Sequence, residues 1–335
     1  MNLEIVAELA QGFEGSPVKA SLLLQSAANA GADAAKFQLV YADELSTPDY
    51  KFYSLFQSLE MSDKEWADLK EQSSQLGVEL QFDIFGELSL RKSIELQVDT
   101  VKVHPTDVTN YALLEKISVS PIRRILVGVG GATSNEIDLA TSILANKELV
   151  LILGFQSYPT PVESNQISRV SLLKQKYQNS QNIHIGFADH AEPESGFAGL
   201  LGAMSIGAGA TLLEKHLTLN RVLKMEDHES ALNPDEFRKY RDDLFAVSSA
   251  IGSTAATESF GMSNSEMGYR HAIRRHVVSA VPITEGQTIL PEHLVLKRSS
   301  IDHPITDLAS VYHSVATRTI DANSAISLQD FTFND

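Results

Sequence analysis

Two histidines with charged neighbours mark the place where this chain could do chemistry. His190 follows Asp189 at the end of one short β-rich segment, and His216 follows Glu214 and Lys215 at the end of another. Unpaired charge in a core is costly, so a strand that ends in such residues must direct them at a partner. Two imidazoles beside carboxylates suit a divalent transition metal with open positions for substrate. A proton-transfer pair is an equal alternative from spacing alone, since the chain has no short H-x-x-x-H motif.

Polar residues also end the other predicted strands. In a (β/α)8 barrel the catalytic groups lie at the C-terminal ends of the strands, where side chains from different strands meet. One polar strand end is more often a surface or satisfied core residue, but a set from nearly every strand favours an active site. These residues, with the glycines after the fifth strand, are Glu8, Lys36, Gln38, Asp83, Lys102, His104, Gly128, Gly130, Gly131, Gln156, Tyr158, Asp189, His190, Glu214, Lys215 and His216.

The elements that would position these residues are short strands that alternate with amphipathic helices. Helical patterns such as VKASLLLQSAANAG and DKEWADLKEQSSQLG lie between the strands. The predicted strands are residues 3–9, 34–40, 78–85, 100–104, 124–129, 149–155, 184–189 and 211–217. Eight strand–helix units within about 250 residues predict a (β/α)8 barrel. A doubly wound open sheet is the alternative, because periodicity cannot show that a barrel closes.

The alternation stops near residue 253, where the composition changes. The stretch GSTAATESFGMSNSEMG is rich in Ser, Thr and Gly and has no period. The short strands and turns after it predict a β-rich domain of about 60 residues, which is marginally stable alone. We therefore predict a barrel domain at 1–255, a linker at 256–275 and a C-terminal domain at 276–335.

Composition and charge exclude several classes of function. The net charge of −16 argues against nucleic acid or an anionic membrane as a partner. The absence of cysteine excludes disulfides, thiolate metal sites and cysteine nucleophiles. The N-terminus lacks the pattern of a secretory signal, and no segment approaches about 18 uninterrupted apolar residues. We therefore expect a cytoplasmic protein.

Several motifs resemble the sialic acid synthase family. They are AGADAAKFQ (30–38), SYPTP (157–161), GFADH (186–190), LLEKHLTL (212–219), MEDHESALNPDEF (225–237) and LKRSS (296–300). That family condenses phosphoenolpyruvate (PEP) with an N-acylated hexosamine to give a nonulosonic acid and phosphate. The resemblance covers essentially the whole chain, and it implies a (β/α)8 barrel followed by a small SAF (antifreeze-like) domain.

The resemblance implies a metal site and a donor site. His190 and His216 match the two metal ligands of the family, usually for manganese, with magnesium or cobalt as alternatives. Lys36 and Lys102 match the lysines that contact the PEP phosphate. Gln38 matches a neighbouring PEP contact.

Further matches concern catalysis, the acceptor sugar and assembly. Glu8 matches the glutamate that ends the first strand, and we expect it to handle a water or its proton. Glu214 is the second candidate catalytic carboxylate. Tyr158 and Asp227 fall at positions on the sugar side. Arg298 matches the SAF arginine that reaches across a dimer to the acyl group, so the resemblance implies a domain-swapped homodimer.

Four positions depart from the family pattern. The hydroxyl residues that bind the PEP phosphate in the family fall on Asp83, Pro105, Gly128 and Ala188 here. Each lost charge-assisted hydrogen bond would cost about 1.5–3 kcal/mol unless it is replaced, and the Asp83 carboxylate would repel a phosphate. Either another group replaces this cage or the substrate has changed. The loop after the first strand also differs, with QGFEG in place of an NHNG-type sequence.

The glycine-rich turn after the fifth strand is a possible replacement for the cage. Thr133 and Glu136 form a T-x-x-E capping box, which predicts a helix start directly after VGVGGA. Glycines before a helix N-terminus can present amides to an anion. A plain tight turn is the alternative. The groups of this hypothetical anion site are the amides of Gly130, Gly131 and Ala132 with the side chains of Lys36, Lys102 and Thr106.

Three functions stay open at this point. The first is a divergent PEP-dependent sugar acid synthase. The second is a metal-dependent lyase or aldolase that acts on an unphosphorylated keto acid, and the third is a non-catalytic descendant that binds a sugar or a partner chain. The retained histidines and lysines argue against the third function, and the lost hydroxyls argue against the first.

Overall fold

The computed structural model describes residues 3–154, 156–252 and 260–333. The chain divides into two compact units, Met1–Gly252 and Ser253–Asp335. Residue 155 of a predicted strand, the predicted domain boundary at 255 and residues 256–259 of the predicted linker lie outside the described residues. Every predicted site residue lies in the first unit except Arg298, which lies in the second.

Eight strands close into a parallel barrel in chain order, which confirms the predicted (β/α)8 architecture and excludes the open sheet. The strands are β1 (Glu4–Ala10), β2 (Ala34–Leu39), β3 (Glu79–Ile84), β4 (Thr100–Val103), β5 (Arg124–Gly128), β6 (Glu148–Leu153), β7 (Ile183–Asp189) and β8 (Leu212–His216). Each lies within two residues of its predicted bounds. β5 and β6 have apolar interiors, as expected for parallel strands that are covered by helices, whereas β2, β3 and β8 also carry charged residues.

Helices connect the strands and cover the outside of the barrel. They are α1 (Pro17–Asn29), α2 (Ala42–Leu45), α3 (Tyr53–Leu59), α4 (Asp63–Leu76), α5 (Glu87–Glu95), α6 (Tyr111–Val119), α7 (Ser134–Ile143), α8 (Ser168–Lys176), α9 (Ala198–Gly207) and α10 (Pro234–Ile251). Local sequence sets their ends. In α4, Ser62 and Glu65 form a capping box, and Gly77 ends the helix in the left-handed region at φ 69°. No helix in the described ranges is long and apolar enough to cross a membrane.

The packing of α4 shows which strand faces point outward. Trp66 is 2% exposed, and its ring lies 6.1 Å from that of Phe37 on β2 and 5.3 Å from that of Phe82 on β3. Burying an aromatic side chain of this kind stabilises the fold by roughly 1.5–3 kcal/mol. Because side chains alternate along a strand, the neighbouring residues Lys36 and Asp83 must point into the barrel. The hydrophobic contact outside the barrel therefore orients the charged residues inside it.

The second unit has its own apolar core and little regular structure. It contains α11 (Asn264–Ile273) and two antiparallel pairs, β9 (His276–Ser279) with β10 (Leu294–Lys297) and β11 (Val315–Ala316) with β12 (Phe331–Thr332). The assignment of this unit as a SAF domain stays a prediction. Its core includes Val277, Ile283, Ile289, Ile320 and Ile326.

The predicted linker contains a helix that the sequence reasoning did not anticipate. Residues Asn264–Ile273 form α11, and Ser263 caps it by accepting a hydrogen bond from the Glu266 N–H at 3.0 Å. The S-x-x-E spacing is a start signal for a helix. The surrounding Ser, Thr and Gly residues obscure this signal, because such a composition is typical of a linker.

Candidate active site

Five charged side chains meet inside the barrel. Glu8 lies opposite Lys36 in the β1–β2 register, and Asp83 lies opposite Lys102 in the β3–β4 register. Glu214 comes from β8, the other neighbour of β1. All five are buried, with exposed fractions from 0% to 5%. Charges this deep are tolerated only when they neutralise one another or bind a ligand.

Each of the two lysines contacts all three carboxylates. Lys102 Nζ lies 2.8 Å from Glu214 Oε1 and 3.4 Å from Asp83 Oδ2. It is 3.8 Å from Glu8 Oε2. Lys36 donates a hydrogen bond to Glu8 and lies 3.4 Å from Glu214 and 3.9 Å from Asp83. Three carboxylates that face two ammonium groups leave one excess negative charge when all five groups are ionised.

These contacts shift the pKa values of the cluster in different directions. Burial lowers the pKa of Lys36 to about 8, although Glu214 and Asp83 oppose the shift. Burial also disfavours the charge on Lys102, but Glu214 and Asp83 outweigh it and hold the Lys102 pKa above its usual value. Burial alone would raise the pKa of Glu214, and the two lysines reverse this and hold it well below its usual range. At neutral pH Glu214 is therefore a carboxylate, and Lys36 is the lysine that releases its proton more easily.

The two histidines lie next to each other at the ends of β7 and β8. The ring centroids of His190 and His216 are 5.2 Å apart, and the Tyr158 ring lies 5.8 Å and 5.5 Å from them. Burial lowers the pKa of His190 to about 3 and that of His216 well below its usual value. Both imidazoles are therefore neutral at pH 7, which is the form that binds a metal.

The histidine pair fits a metal site with two protein ligands. Two neutral imidazoles this close together could both bind one divalent ion. Within the described ranges, no group of three or more His, Asp or Glu side chains could hold a metal ion. The remaining coordination positions would be left for water and substrate, as a Lewis-acid site requires.

Asp227 lines the same cavity and has a left-handed backbone at φ 64°. The Tyr158 hydroxyl donates a hydrogen bond to the backbone carbonyl oxygen of Asp227. The Gln11 N–H donates a hydrogen bond to Asp227 Oδ2 at 3.3 Å. Most of the predicted site residues therefore share one cavity. Its lining consists of Glu8, Gln38, Asp83, Lys102, His104, Pro105, Gly128, Ile152, Gly154, Tyr158, Ala188, His190, Glu214, His216 and Asp227.

Asp227→Asn is expected to stabilise the protein at alkaline pH. Burial raises the pKa of Asp227 to about 6, compared with about 3.9 in an unfolded chain. The stabilisation from a raised carboxyl pKa is present below the unfolded pKa and is lost as pH rises through the folded pKa. The variant should therefore be about 2–3 kcal/mol more stable than wild type at pH 8 and about equally stable near pH 4. Urea unfolding at both pH values measures the difference, and a pH-independent difference would contradict this origin.

Packing fills the positions of the missing phosphate cage. A Cβ built on Gly128 would come within 2.5 Å of Pro105 Cδ, so a hydroxyl side chain fits there only if the proline moves. A Cβ on Gly154 would lie 2.6 Å from the Cβ of Ala188. Asp83 occupies a third position, and neither of its carboxylate oxygens accepts a hydrogen bond from the described residues. Two of the four departures, Pro105 and Gly128, are therefore packed against each other, and Ala188 packs against Gly154.

The glycine turn after β5 is not brought to this cavity. The predicted capping box of Thr133 and Glu136 does begin α7, and each residue bonds the backbone of the other. Gly130 and Gly131 are not part of the cavity lining, and Ala132 lines a separate cavity. The start of α7 is already occupied by its own glutamate, which leaves fewer amides for an anion.

Thr106 and Gln11 each bond a residue of the cavity lining. Thr106 lines a neighbouring cleft, although its hydroxyl is 2.8 Å from Nδ1 of His104, which does line the candidate cavity. Gln11 was not predicted, but it bonds the side chain of Gln38 as well as Asp227. The available signal was its place in the loop directly after β1.

Lys215 has a structural position that its motif did not indicate. It lies between Glu214 and His216 in sequence, so strand alternation turns it away from the cavity that they line. Lys215 Nζ lies 3.2 Å from Asp189 Oδ1 and donates to the Ala191 carbonyl at 2.7 Å. This buried pair links β8 to the residues on either side of His190.

Relatives resemble this chain over most of its length. N,N′-diacetyllegionaminic acid synthase from Legionella pneumophila is 23% identical over 347 residues, covering 97% of this chain and 94% of that protein. N-acetylneuraminate-9-phosphate synthase from Mus musculus is 24% identical over 308 residues, covering 88% of this chain and 82% of that one. The crystal structure of N-acetylneuraminic acid (sialic acid) synthetase from Leptospira borgpetersenii, in complex with citrate, matches with a TM-score of 0.72 at 27% identity. That match covers 82% of this chain and 93% of the other.

The family assignment rests on a match across the barrel. A sequence model of the NeuB family matches residues 23–256. This region includes both lysines of the charged cluster and both histidines of the cavity. The relatives named above are sugar acid synthases by name, in agreement with the resemblance seen in the motifs. Because the family match covers more than half of the chain, this protein belongs to the NeuB family.

Proposed function

We propose that this protein is a sugar acid synthase that condenses PEP with the open-chain aldehyde of an N-acylated amino sugar. The products would be a 3-deoxy-2-keto sugar acid and inorganic phosphate. The observation that carries the proposal is the convergence, in a NeuB-family barrel, of Lys102, two catalytic carboxylate candidates and a histidine pair on one cavity. Lys36 lies behind this lining, where it bonds Glu8.

The proposed reaction forms one carbon–carbon bond and breaks one carbon–oxygen bond. C3 of PEP attacks the aldehyde carbon, and the aldehyde oxygen takes up a proton and becomes a hydroxyl. Water adds at C2 and loses a proton. Phosphate then leaves from C2 with its bridging oxygen and takes up the proton of the added hydroxyl, and C2 becomes the ketone.

The residues of the charged cluster have distinct roles in this proposal. Lys36 and Lys102 would hold the anionic donor. Glu8 is our candidate for the base that handles the water. Its carboxylate is held in place because Oε1 accepts the Ala10 N–H at 2.9 Å and Oε2 accepts Lys36. Glu214 is ionised at neutral pH, so it offers a fixed negative charge to the cation that develops at C2.

We also propose that His190 and His216 bind a divalent metal, manganese first, with magnesium or cobalt as alternatives. When bound, the metal would supply a Lewis acid for the acceptor aldehyde. The Tyr158 ring packs beside both imidazoles and would limit the access of bulk water to them. Pairing of two chains through Arg298 is proposed on the resemblance alone, and light scattering at micromolar concentration would test it.

Asp83 favours a second function, the condensation of an unphosphorylated keto acid in a lyase or aldolase type of reaction. Its buried carboxylate lies 3.4 Å from Lys102 and 3.9 Å from Lys36, the two lysines that would otherwise bind a phosphate. The cluster already carries an excess negative charge, so a further dianionic phosphate is disfavoured. In this reaction C3 of the pyruvate enolate attacks the aldehyde, and C2 keeps its own oxygen.

One assay separates these functions. The purified protein is incubated with N-acetylmannosamine and either PEP or pyruvate, with Mn²⁺ or with a chelator, and both phosphate and the keto sugar acid are measured. Phosphate release together with keto sugar acid formation from PEP supports the first function. Formation of the keto sugar acid from pyruvate but not from PEP supports the second. Acceptor binding without product from either donor would contradict both and leave the non-catalytic descendant.

Asp83→Ser is expected to improve PEP binding if PEP is the donor. The substitution leaves two lysines facing two carboxylates and restores a hydroxyl donor. Because one charge-assisted hydrogen bond contributes about 1.5–3 kcal/mol, the KM for PEP should fall about 10- to 100-fold. Asp99→Ser, at an exposed position before β4, is the matched control. An unchanged KM for PEP in Asp83→Ser would show that this carboxylate does not limit phosphate binding.

A further inference from the structure

Gln11 lies where the first β–α loop meets the turn that carries Asp227. It follows β1 directly, and the next residue is Gly12. A Cβ on Gly12 would lie 3.5 Å from the Glu226 carbonyl oxygen, so the loop passes close to that turn. The Gln11 N–H reaches Asp227 Oδ2 at 3.3 Å as a result.

The side chain of Gln11 contacts Gln38, the residue that the resemblance matches to a PEP contact. Its Nε2 donates to Oε1 of Gln38 at 2.7 Å, and Gln38 is part of the cavity lining. A glutamine amide has one acceptor oxygen and one NH₂ group. The Gln38 oxygen accepts its hydrogen bond from Gln11. The Gln38 NH₂ group donates no hydrogen bond to any of the described residues. The NH₂ group is therefore the part of Gln38 that is available to a ligand.

A neighbouring carboxylate competes for this NH₂ group. Gln38 lies opposite Asp83 in the β2–β3 register, and the Asp83 oxygens accept no hydrogen bond from the described residues. If the Gln38 amide had no fixed orientation, its NH₂ group could turn toward the Asp83 carboxylate. It would then no longer be available to donate a hydrogen bond to a ligand. The bond from Gln11 holds the opposite end of the amide and opposes this rotation.

We propose that Gln11 is a positioning residue that fixes the Gln38 amide with its NH₂ group toward the cavity. In this orientation Gln38 donates to a carboxylate oxygen of the three-carbon donor. The same residue holds Asp227 on the acceptor side through its main chain, so a single loop residue sets both sides of the cavity. The ligand part of this inference rests on the proposed function, whereas the orientation of Gln38 does not.

Gln11→Glu tests the orientation, because a carboxylate only accepts hydrogen bonds. It must take the NH₂ group of Gln38, and the carbonyl oxygen of Gln38 then faces the ligand. Calorimetric titration should show the Kd for PEP, or for pyruvate if that is the donor, about 10- to 100-fold weaker than wild type. The kcat at saturating donor should change little. Gln25→Glu, on α1, where the glutamine side chain bonds Asn29, is the matched control and should leave Kd unchanged.

A double-mutant cycle separates positioning from general loop damage. Gln11→Ala should weaken donor binding in the wild-type background and have no further effect in Gln38→Ala, because the two residues act through one amide. An equal loss in both backgrounds would overturn the proposal and indicate a structural role for the loop.

The ligand-free protein offers a readout that does not depend on the proposed function. After labelling with [¹⁵N]glutamine, the side-chain signals of Gln38 are identified by their loss in Gln38→Ala. They should shift in Gln11→Glu, where the NH₂ group gains a carboxylate acceptor, and stay in place in Gln25→Glu. Unshifted signals in Gln11→Glu would refute the orientation. A shift without any donor binding would retain it and count against the proposed function instead.

Discussion

Replacement of Lys36 by methionine is expected to lower the free energy of unfolding of the barrel unit by about 3–5 kcal/mol. Lys36 is 0% exposed and contacts Glu8, Glu214 and Asp83. Without it, three buried carboxylates face Lys102 alone, and the excess negative charge doubles. Urea unfolding followed by the fluorescence of Trp66 measures the loss, since Trp66 is the one tryptophan of the chain and packs against the barrel.

Two variants test whether charge balance causes this loss. In Lys36→Met with Asp83→Asn, one lysine faces two carboxylates, which restores the wild-type excess of one negative charge. We expect the double variant to be more stable than Lys36→Met alone. Lys19→Met removes a half-exposed lysine that pairs with Glu14, and it should cost less than about 1 kcal/mol. A double variant that is less stable than the single one would show that packing of the lysine stem, rather than charge, dominates.

Alanine at His190 or at His216 is expected to have the largest effect on activity. Each substitution removes one of two proposed ligands, and a bound metal contributes several kcal/mol of transition-state stabilisation. We therefore expect kcat/KM to fall by about 10³-fold or more in either variant. The fold should persist, because both imidazoles are neutral at pH 7 and alanine therefore leaves the net charge of the barrel interior unchanged.

Metal binding gives this prediction a second readout. Wild-type protein should bind one Mn²⁺ per chain in a calorimetric titration, and neither alanine variant should. His271→Ala, at an exposed position on α11, is the control and should retain both metal binding and activity. Full activity of wild-type protein after treatment with a chelator, together with loss of activity in the alanine variants, would instead favour the proton-transfer pair.

The barrel could be predicted because its signals are local. Short β-rich runs and helices with a period of 3.6 are visible within windows of about 11–18 residues. The eight strands were therefore located to within two residues, and the capping box of Thr133 and Glu136 marked the start of α7. The helix α11 carries the same type of signal at Ser263 and Glu266, but the Ser, Thr and Gly residues around it are typical of a linker and obscure the signal.

The candidate site could be predicted as a set of residue types, but not as a set of contacts. The sequence indicates Lys102 and Glu214 as candidate site residues. It does not show that these residues, which are 112 positions apart, form an ion pair at 2.8 Å. Nor does it show that Gln11 bonds Asp227, which lies 216 positions further along. Such pairs depend on which strands become neighbours when the barrel closes.

Residues that are adjacent in the sequence can point to opposite faces of a strand and have different partners. Glu214, Lys215 and His216 are consecutive, yet the first and third line the cavity while the second pairs with Asp189 away from it. The local pattern determined that these residues end a buried strand. Their partners were set by the closed barrel, because charges taken out of water must find opposite charges within a few ångströms, and only the folded chain brings those charges together.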